Sequence, residues 1–156
     1  MKKIIILLTS LLFLVACNDD TREEAYVEEE VKKIEMSENL AYAYLEQLTG
    51  NYLLIDVHED RSPEKNKALD LALTELNITT TEIKDEYIQD SPMVKDLLEI
   101  SDFVKFAIDE MLLGEYSTKY DNSVKAGGLV GDFSRAYLDG KLPPTIRGVT
   151  GIESLD

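Results

Sequence analysis

A long apolar pattern over residues 92–113 constrains the fold more than any other feature of the chain. Ser91 and Pro92 mark its start, because serine caps helices and proline fits the first helical turn. Gly114 suits the left-handed residue that follows a helix end. The apolar positions of the pattern are Val94, Leu97, Leu98, Ile100, Val104, Ala107, Ile108, Met111 and Leu112. Since they cover a wide arc, the pattern predicts a central helix packed on several sides.

Periodic apolar positions predict the remaining helices as well. They run from Ser37, from Pro63 to about Asn77, from Thr79 to Ile88, and from Ser123 to Asp139. Short connections favour antiparallel neighbours, so we predict an all-α bundle of about four main helices over residues 37–142. Residues 143–156 read as an irregular tail. Residues 52–58 fit either a helix or a short strand paired with 77–83, which leaves an α+β fold with one hairpin as the minor alternative.

The first residues of the chain read as an export signal. Lys2 and Lys3 precede an apolar run over residues 4–15, which is shorter than the roughly 20 residues that span a bilayer and typical of a signal peptide. The stretch Leu14-Val15-Ala16-Cys17 resembles the lipobox of bacterial lipoproteins. That resemblance implies cleavage after residue 16 and lipidation of Cys17, the only cysteine, and so a protein anchored on the extracytoplasmic face of the cell membrane.

The mature chain would be strongly acidic. The sequence has 16 basic and 31 acidic residues and a net charge of -15, and removal of Lys2 and Lys3 with residues 1–16 brings it to about -17. Such a charge repels phosphate backbones and anionic lipid head groups, so no nucleic-acid partner is expected. Residues 17–36 form an acidic linker for which a helix is one option.

Two short motifs could carry chemistry. Asp56, His58 and Asp60 are candidate metal ligands by residue type, although they lack a standard ligand spacing. Ser62 and Lys65 match the Ser-x-x-Lys pattern of serine acyl-enzymes, but helix capping explains Ser62 and the companion motifs are absent. The sequence predicts no cofactor.

Three glycines lie inside the last long helix, at positions 127, 128 and 131. Glycine destabilises a helix interior by about 1 kcal/mol relative to alanine, so their presence needs a reason. We interpret them as a place where a neighbouring helix approaches closely. An unwound turn and contact with a ligand are the alternatives.

A possible partner contact lies at Phe106, with Phe103 at its edge. Phe106 continues a row of polar residues along the 92–113 helix, so its ring is either covered or exposed for a reason. Ile146 or Ile152 of the tail could cover it. Otherwise it could dock a partner or stand exposed without a role.

These features favour a non-catalytic lipoprotein that acts by contact with an unknown envelope protein. A small-molecule or metal-binding lipoprotein is the main alternative, and a large apolar pocket with convergent polar groups would favour it. An envelope hydrolase is a third possibility. The fourth is a signalling role for the released fragment "SLLFLVA", which resembles short apolar bacterial signalling peptides.

The lipobox interpretation predicts that Cys17→Ser abolishes membrane attachment. Without the thiol no diacylglycerol can be added, so the variant should leave the detergent phase or keep its signal peptide. Detergent partitioning and the intact mass of the wild type measure this. A mature wild-type protein without lipid mass would contradict the interpretation.

Overall fold

The computed structural model of the protein describes residues 32–114 and 116–156. Within them the chain forms five α-helices and no β-strand, so the predicted all-α fold is confirmed. The helices are α1 (Glu38–Leu54), α2 (Pro63–Glu86), α3 (Pro92–Leu113), α4 (Tyr116–Tyr137) and α5 (Pro144–Thr150). None of the helices in this part of the chain is both long enough and apolar enough to cross a bilayer.

Helix α3 is the central helix that the sequence predicted, and both of its ends lie where predicted. It packs against α1, α2 and α4. Val94, Leu97 and Ile100 are fully buried, and burial of each such side chain contributes about 1.5–3 kcal/mol. Gly114 ends the helix in the left-handed conformation, with φ 78°.

Helix α2 is continuous, where the sequence predicted two helices separated near Asn77. The hydroxyl groups of Thr80 and Thr81 donate to the carbonyl oxygens four residues earlier, at 2.7 and 2.9 Å. The threonines therefore do not compete with the helix for its backbone groups. Burial of Ile83 against the core holds the second half of α2 in line with the first.

Residues 52–58 continue helix α1 and do not form a strand. Helix α1 begins after Ser37, whose hydroxyl accepts the N–H of Leu40, and a 3-10 turn (Ile55–Val57) follows its last residue. Ile55 is fully buried. The helical interpretation of this segment is confirmed, and the hairpin alternative is wrong because its proposed partner, residues 77–83, lies inside α2.

The described end of the acidic linker, residues 32–36, is extended. Ile34 pairs with the end of α2, since its N–H donates to the carbonyl of Glu86 and its own carbonyl accepts from Ile88, both at 3.0 Å. Met36 is buried. The helical option is therefore wrong for residues 32–36, because these backbone groups bond to another segment.

The tail is ordered by a short helix, which the sequence analysis missed. We predicted an irregular segment over residues 143–156, but Pro144–Thr150 forms α5. Pro144 suits a first helical position and Ile146 is buried. After α5 the chain turns back, and the N–H of Leu155 donates to the carbonyl of Gly140 at 2.8 Å.

The contact between Gly140 and the tail predicts a large effect of Gly140→Ala. A Cβ at this position would lie 1.8 Å from the carbonyl oxygen of Leu155, and φ is 73°. We expect the free energy of unfolding to fall by more than about 2 kcal/mol, since the left-handed conformation alone costs about 1–2 kcal/mol. Urea denaturation followed by circular dichroism measures this.

Gly148→Ala is the matched control, because a Cβ there meets no atom within 4 Å. In helix α5 it should leave stability unchanged or raise it by up to about 1 kcal/mol. Equal stabilities of the two variants would mean that the tail does not pack on Gly140.

Candidate functional site

An apolar groove lies between α4 on one side and the pair α1 and α5 on the other. Helix α4 packs mainly on α3 and helix α5 packs on α1, so none of the described helices fills the space between them. The volume of the groove is about 350 Å³, at the lower end of the range for small-molecule sites. The last residues of the chain, with Ile152 and Leu155, complete its lining.

The wall contributed by α4 includes three glycines, Gly127, Gly128 and Gly131. A Cβ on Gly127 or Gly128 would meet no atom within 4 Å, and both residues are exposed. The predicted close approach of a neighbouring helix is therefore wrong at these two positions. The unwound-turn alternative is wrong as well, because α4 is continuous through them. The glycines face open space, and we call the site the glycine groove.

The opposite wall depends on how α5 is attached to α1. The carboxylate of Glu46 accepts the N–H of Thr145 at 3.3 and 3.2 Å from its two oxygens, and it also accepts the Thr145 hydroxyl. A Cβ on Gly50 would lie 3.4 Å from Glu46 Oε1 and 3.5 Å from Thr145 Oγ1. Gly50 lies within α1 and leaves room for α5.

The hydroxyl groups of the lining are satisfied within the protein. Thr49 and Thr150 donate to the backbone carbonyls of Leu45 and Ile146, each at 2.7 Å. The hydroxyls of Tyr52 and Ser123 hydrogen-bond to each other across the groove. The groove therefore offers a ligand mainly apolar surface.

Tyr52 stays neutral at physiological pH. Burial raises the pKa of the Tyr52 hydroxyl, the hydrogen bond with Ser123 opposes that rise, and the charges of Asp56 and Glu110 add to it. An uncharged Tyr52–Ser123 pair therefore closes one end of the groove.

Arg135 lies toward the other end and is the only charged side chain among the described residues that line the groove. Its guanidinium folds back over Gly131, since a Cβ there would lie 3.4 Å from Nη2 and 3.7 Å from Nη1. Arg135 also pairs with Asp132 on the same helix at 2.9 Å, with 48% of the arginine side chain exposed. Such an exposed pair holds the arginine weakly, so it can bond to an anion as well.

The predicted metal ligands surround a lysine. The ammonium of Lys65 lies 2.6 Å from Asp60 and 3.2 Å from Asp56, and only 4% of its side chain is exposed. His58 does not join them, and no cluster of three His, Cys, Asp or Glu side chains able to hold a metal ion occurs in the described ranges. The lysine therefore occupies the position between the two carboxylates that a cation would need.

The same cluster accounts for the Ser-x-x-Lys motif. The Ser62 hydroxyl accepts the N–H of Lys65 at 3.1 Å and so caps α2. Burial alone would lower the pKa of Lys65, but hydrogen bonds to Asp60 and Asp56 and the charges of these carboxylates outweigh it, so that the pKa is raised. A lysine held charged in this way cannot act as the base of an acyl-enzyme.

The predicted partner-contact residues lie together on the surface of α3. The rings of Phe103 and Phe106 meet edge to face with centroids 6.1 Å apart. Phe106 is 51% exposed, so the expectation that the tail buries it is wrong. Ile146 and Ile152 line the glycine groove instead.

Cys17, its signal segment and residues 17–31 of the predicted linker lie outside the described residues. Sequence reasoning also did not single out Arg135 or Ser123 as site residues. The glycines of α4 were the sequence feature that could have indicated the groove. Glycine, however, is equally expected where two helices pack closely and where a groove lacks side chains. Only the position of α5 distinguishes these two structures.

The ion pairs of the buried Lys65 with the exposed carboxylates of Asp56 and Asp60 predict that Lys65→Met destabilises the protein. Methionine replaces the apolar stem but not the charged hydrogen bonds, each of which is worth about 1.5–3 kcal/mol, and it leaves two carboxylates close together. We expect a loss of about 1–3 kcal/mol in the free energy of unfolding. Lys67→Met, at an exposed position of the same helix, is the control and should have little effect. Equal stability of the two variants would show that the cluster contributes nothing.

No protein-family model matches the sequence, and neither a curated protein nor a solved structure was found to be significantly similar to the chain.

Proposed function

We propose that the protein is a lipid-anchored, extracytoplasmic binding protein that holds a small apolar molecule in the glycine groove. The observation that carries the proposal is an apolar space of about 350 Å³ whose α4 wall lacks side chains at Gly127 and Gly128. The small-molecule alternative called for a large apolar pocket with convergent polar groups; the apolar lining of the groove supports it, and Arg135 is the one charged group that the described lining offers. The lipobox at Leu14–Cys17 supports the location.

The lining supports binding without catalysis. Among the described residues it contains no carboxylate, histidine or cysteine, and the Tyr52 hydroxyl has a raised pKa. Acid–base catalysis near neutral pH needs groups that exchange protons there. The groove can therefore select a molecule by shape and apolar surface, while the lipid at Cys17 keeps the protein at the membrane.

Gly127→Leu tests this proposal because it should fill the groove without harming the fold. Leucine is a better helix former than glycine by up to about 1 kcal/mol, and its Cβ meets no atom within 4 Å. We expect the melting temperature to rise or stay constant while binding of the neutral dye N-phenyl-naphthylamine is lost. The chain has no tryptophan, so the dye fluorescence can be read without interference.

Gly148→Leu is the matched control. It adds the same apolar side chain to a helical glycine that also faces open space but does not line the groove. Dye binding should equal that of the wild type. If the wild type does not bind the dye, or if Gly127→Leu binds it unchanged, the groove is not the binding site.

The exposed aromatic pair favours a second candidate function, which is docking of an envelope protein. Phe106 is 51% exposed, and Lys125 lies 5.7 Å from the centroid of the Phe103 ring. These three residues form an apolar surface with one positive charge. Exposed aromatic side chains such as Phe106 are enriched in protein interfaces relative to the rest of the surface.

Phe106→Ala should separate docking from a structural role. Since about half of the ring is already exposed, we expect the free energy of unfolding to fall by less than about 1 kcal/mol, well below the 3–5 kcal/mol of a buried phenylalanine. Crosslinks to a partner in native membranes should disappear. Leu113→Ala, at a residue 74% exposed on the same helix, is the control. Retention of every crosslink in Phe106→Ala would reject docking at this surface.

A further inference from the structure

The glycine groove is elongated along helix α4. Its lining extends along α4 from Ser123 to Arg135, and the rise from Ser123 to Gly131, over which the Arg135 guanidinium lies, is about 12 Å at about 1.5 Å per residue. Between these ends the α4 side offers the three glycines, Ala126 and Val130, which form an apolar floor. A long, narrow apolar molecule fits such a floor better than a compact one.

The two ends of the groove differ in charge. At the Ser123 end the hydroxyls of Tyr52 and Ser123 bond to each other, so they present no charge to a ligand. At the other end the guanidinium of Arg135 lies over Gly131 and beside Leu155, whose Cδ1 lies 3.6 Å from the same Cβ position. The glycine allows the positive group to turn toward the groove.

From this asymmetry we infer that the ligand is a single-chain amphiphile with an anionic head group, of the free fatty acid class, whose carboxylate binds Arg135. The inference rests on the proposed function. The apolar chain lies along the glycines, and the carboxylate accepts hydrogen bonds from the guanidinium, whose planar fork matches a carboxylate. Asp132 accepts a hydrogen bond from Nη2 of Arg135. Since a guanidinium has five N–H donors, others can bond to the carboxylate of the ligand.

Charge complementarity selects this ligand over a neutral or cationic one. A neutral alcohol can accept a hydrogen bond from the guanidinium through its hydroxyl oxygen, but it offers neither the negative charge nor the second acceptor of a carboxylate. An amine would place two positive charges together in a partly apolar site, where repulsion is stronger than in water.

The test compares laurate with dodecanol, which has the same chain and an uncharged head group. Both displace N-phenyl-naphthylamine from the full-length protein, below the concentrations at which they form micelles. We expect laurate to bind about tenfold more tightly, equivalent to about 1.4 kcal/mol. Arg135→Gln should abolish this preference while dodecanol binding stays unchanged, and Arg135→Lys should keep part of it.

Lys141→Gln is the control for the loss of one positive charge, since its side chain is 70% exposed and does not line the groove. It should bind laurate like the wild type. A melting curve for each variant verifies that it is folded.

The possible failures have different meanings. Equal binding of laurate and dodecanol in the wild type, with both lost in Gly127→Leu, would overturn the anionic head group but not the groove. Tighter binding of dodecylamine than of laurate would also overturn the proposed anionic head group. If no chain binds and sedimentation shows a dimer that Gly127→Leu dissociates, a second copy of the protein covers the groove, and both proposals fall.

Discussion

The contact between Glu46 and the start of α5 determines the shape of the site. A helix as short as Pro144–Thr150 is not stable by itself in water, so its position depends on tertiary contacts. Glu46 supplies a negative charge and acceptors where the first N–H groups of a helix lack partners. Because this carboxylate belongs to α1, α5 is fixed on α1, and its distance from α4 leaves the groove open.

The open wall of α4 has a cost in stability. Each glycine in a helix interior destabilises it by about 1 kcal/mol relative to alanine, and α4 contains three of them in five positions. Packing of α4 on α3, with Phe133 and Val130 buried, offsets that loss. Alanine at Gly127 would give a better helix without any steric conflict. Glycine at position 127 therefore leaves the groove open but lowers the stability of the helix. Such a trade-off between stability and an open site is common in proteins.

The sequence predicted those features that depend on local chemistry. Helix α3 was predicted to the residue because Pro92 and Gly114 act within one turn of its ends. The hydroxyls of Ser37 and Ser62 cap α1 and α2, as their positions before a helical pattern indicated. The errors have a common cause. In each case the local secondary structure depends on packing or hydrogen bonds with residues that are far away in the sequence. Burial of Ile83 makes α2 continuous, and Glu46 allows α5 to form in a tail rich in glycine.

The candidate site was harder to predict because its residues are far apart in the chain. Tyr52 and Ser123 belong to α1 and α4, and only the folded structure brings their hydroxyls together. At residues 56–60 the sequence indicated a site that the structure does not form. The composition of this segment indicated a cation site, but Lys65 lies one helical turn beyond Ser62, and its aliphatic stem carries the ammonium to both carboxylates.

The acidity of the whole chain determines how an anion could be recognised in the groove. With a net charge of -15, the protein repels anions that come within about a Debye length of its surface, about 8 Å at physiological ionic strength, and beyond that distance its charges are screened. Long-range attraction therefore cannot guide a carboxylate to Arg135. In the proposed complex the guanidinium would act only after the apolar chain had entered the groove, at hydrogen-bond distance and beside Leu155. A head-group preference that arises in this way slows dissociation of the bound ligand and does not speed its arrival. The same acidity makes copies of the protein repel one another, which would help an apolar groove to stay open on a protein held at the membrane by the proposed lipid anchor.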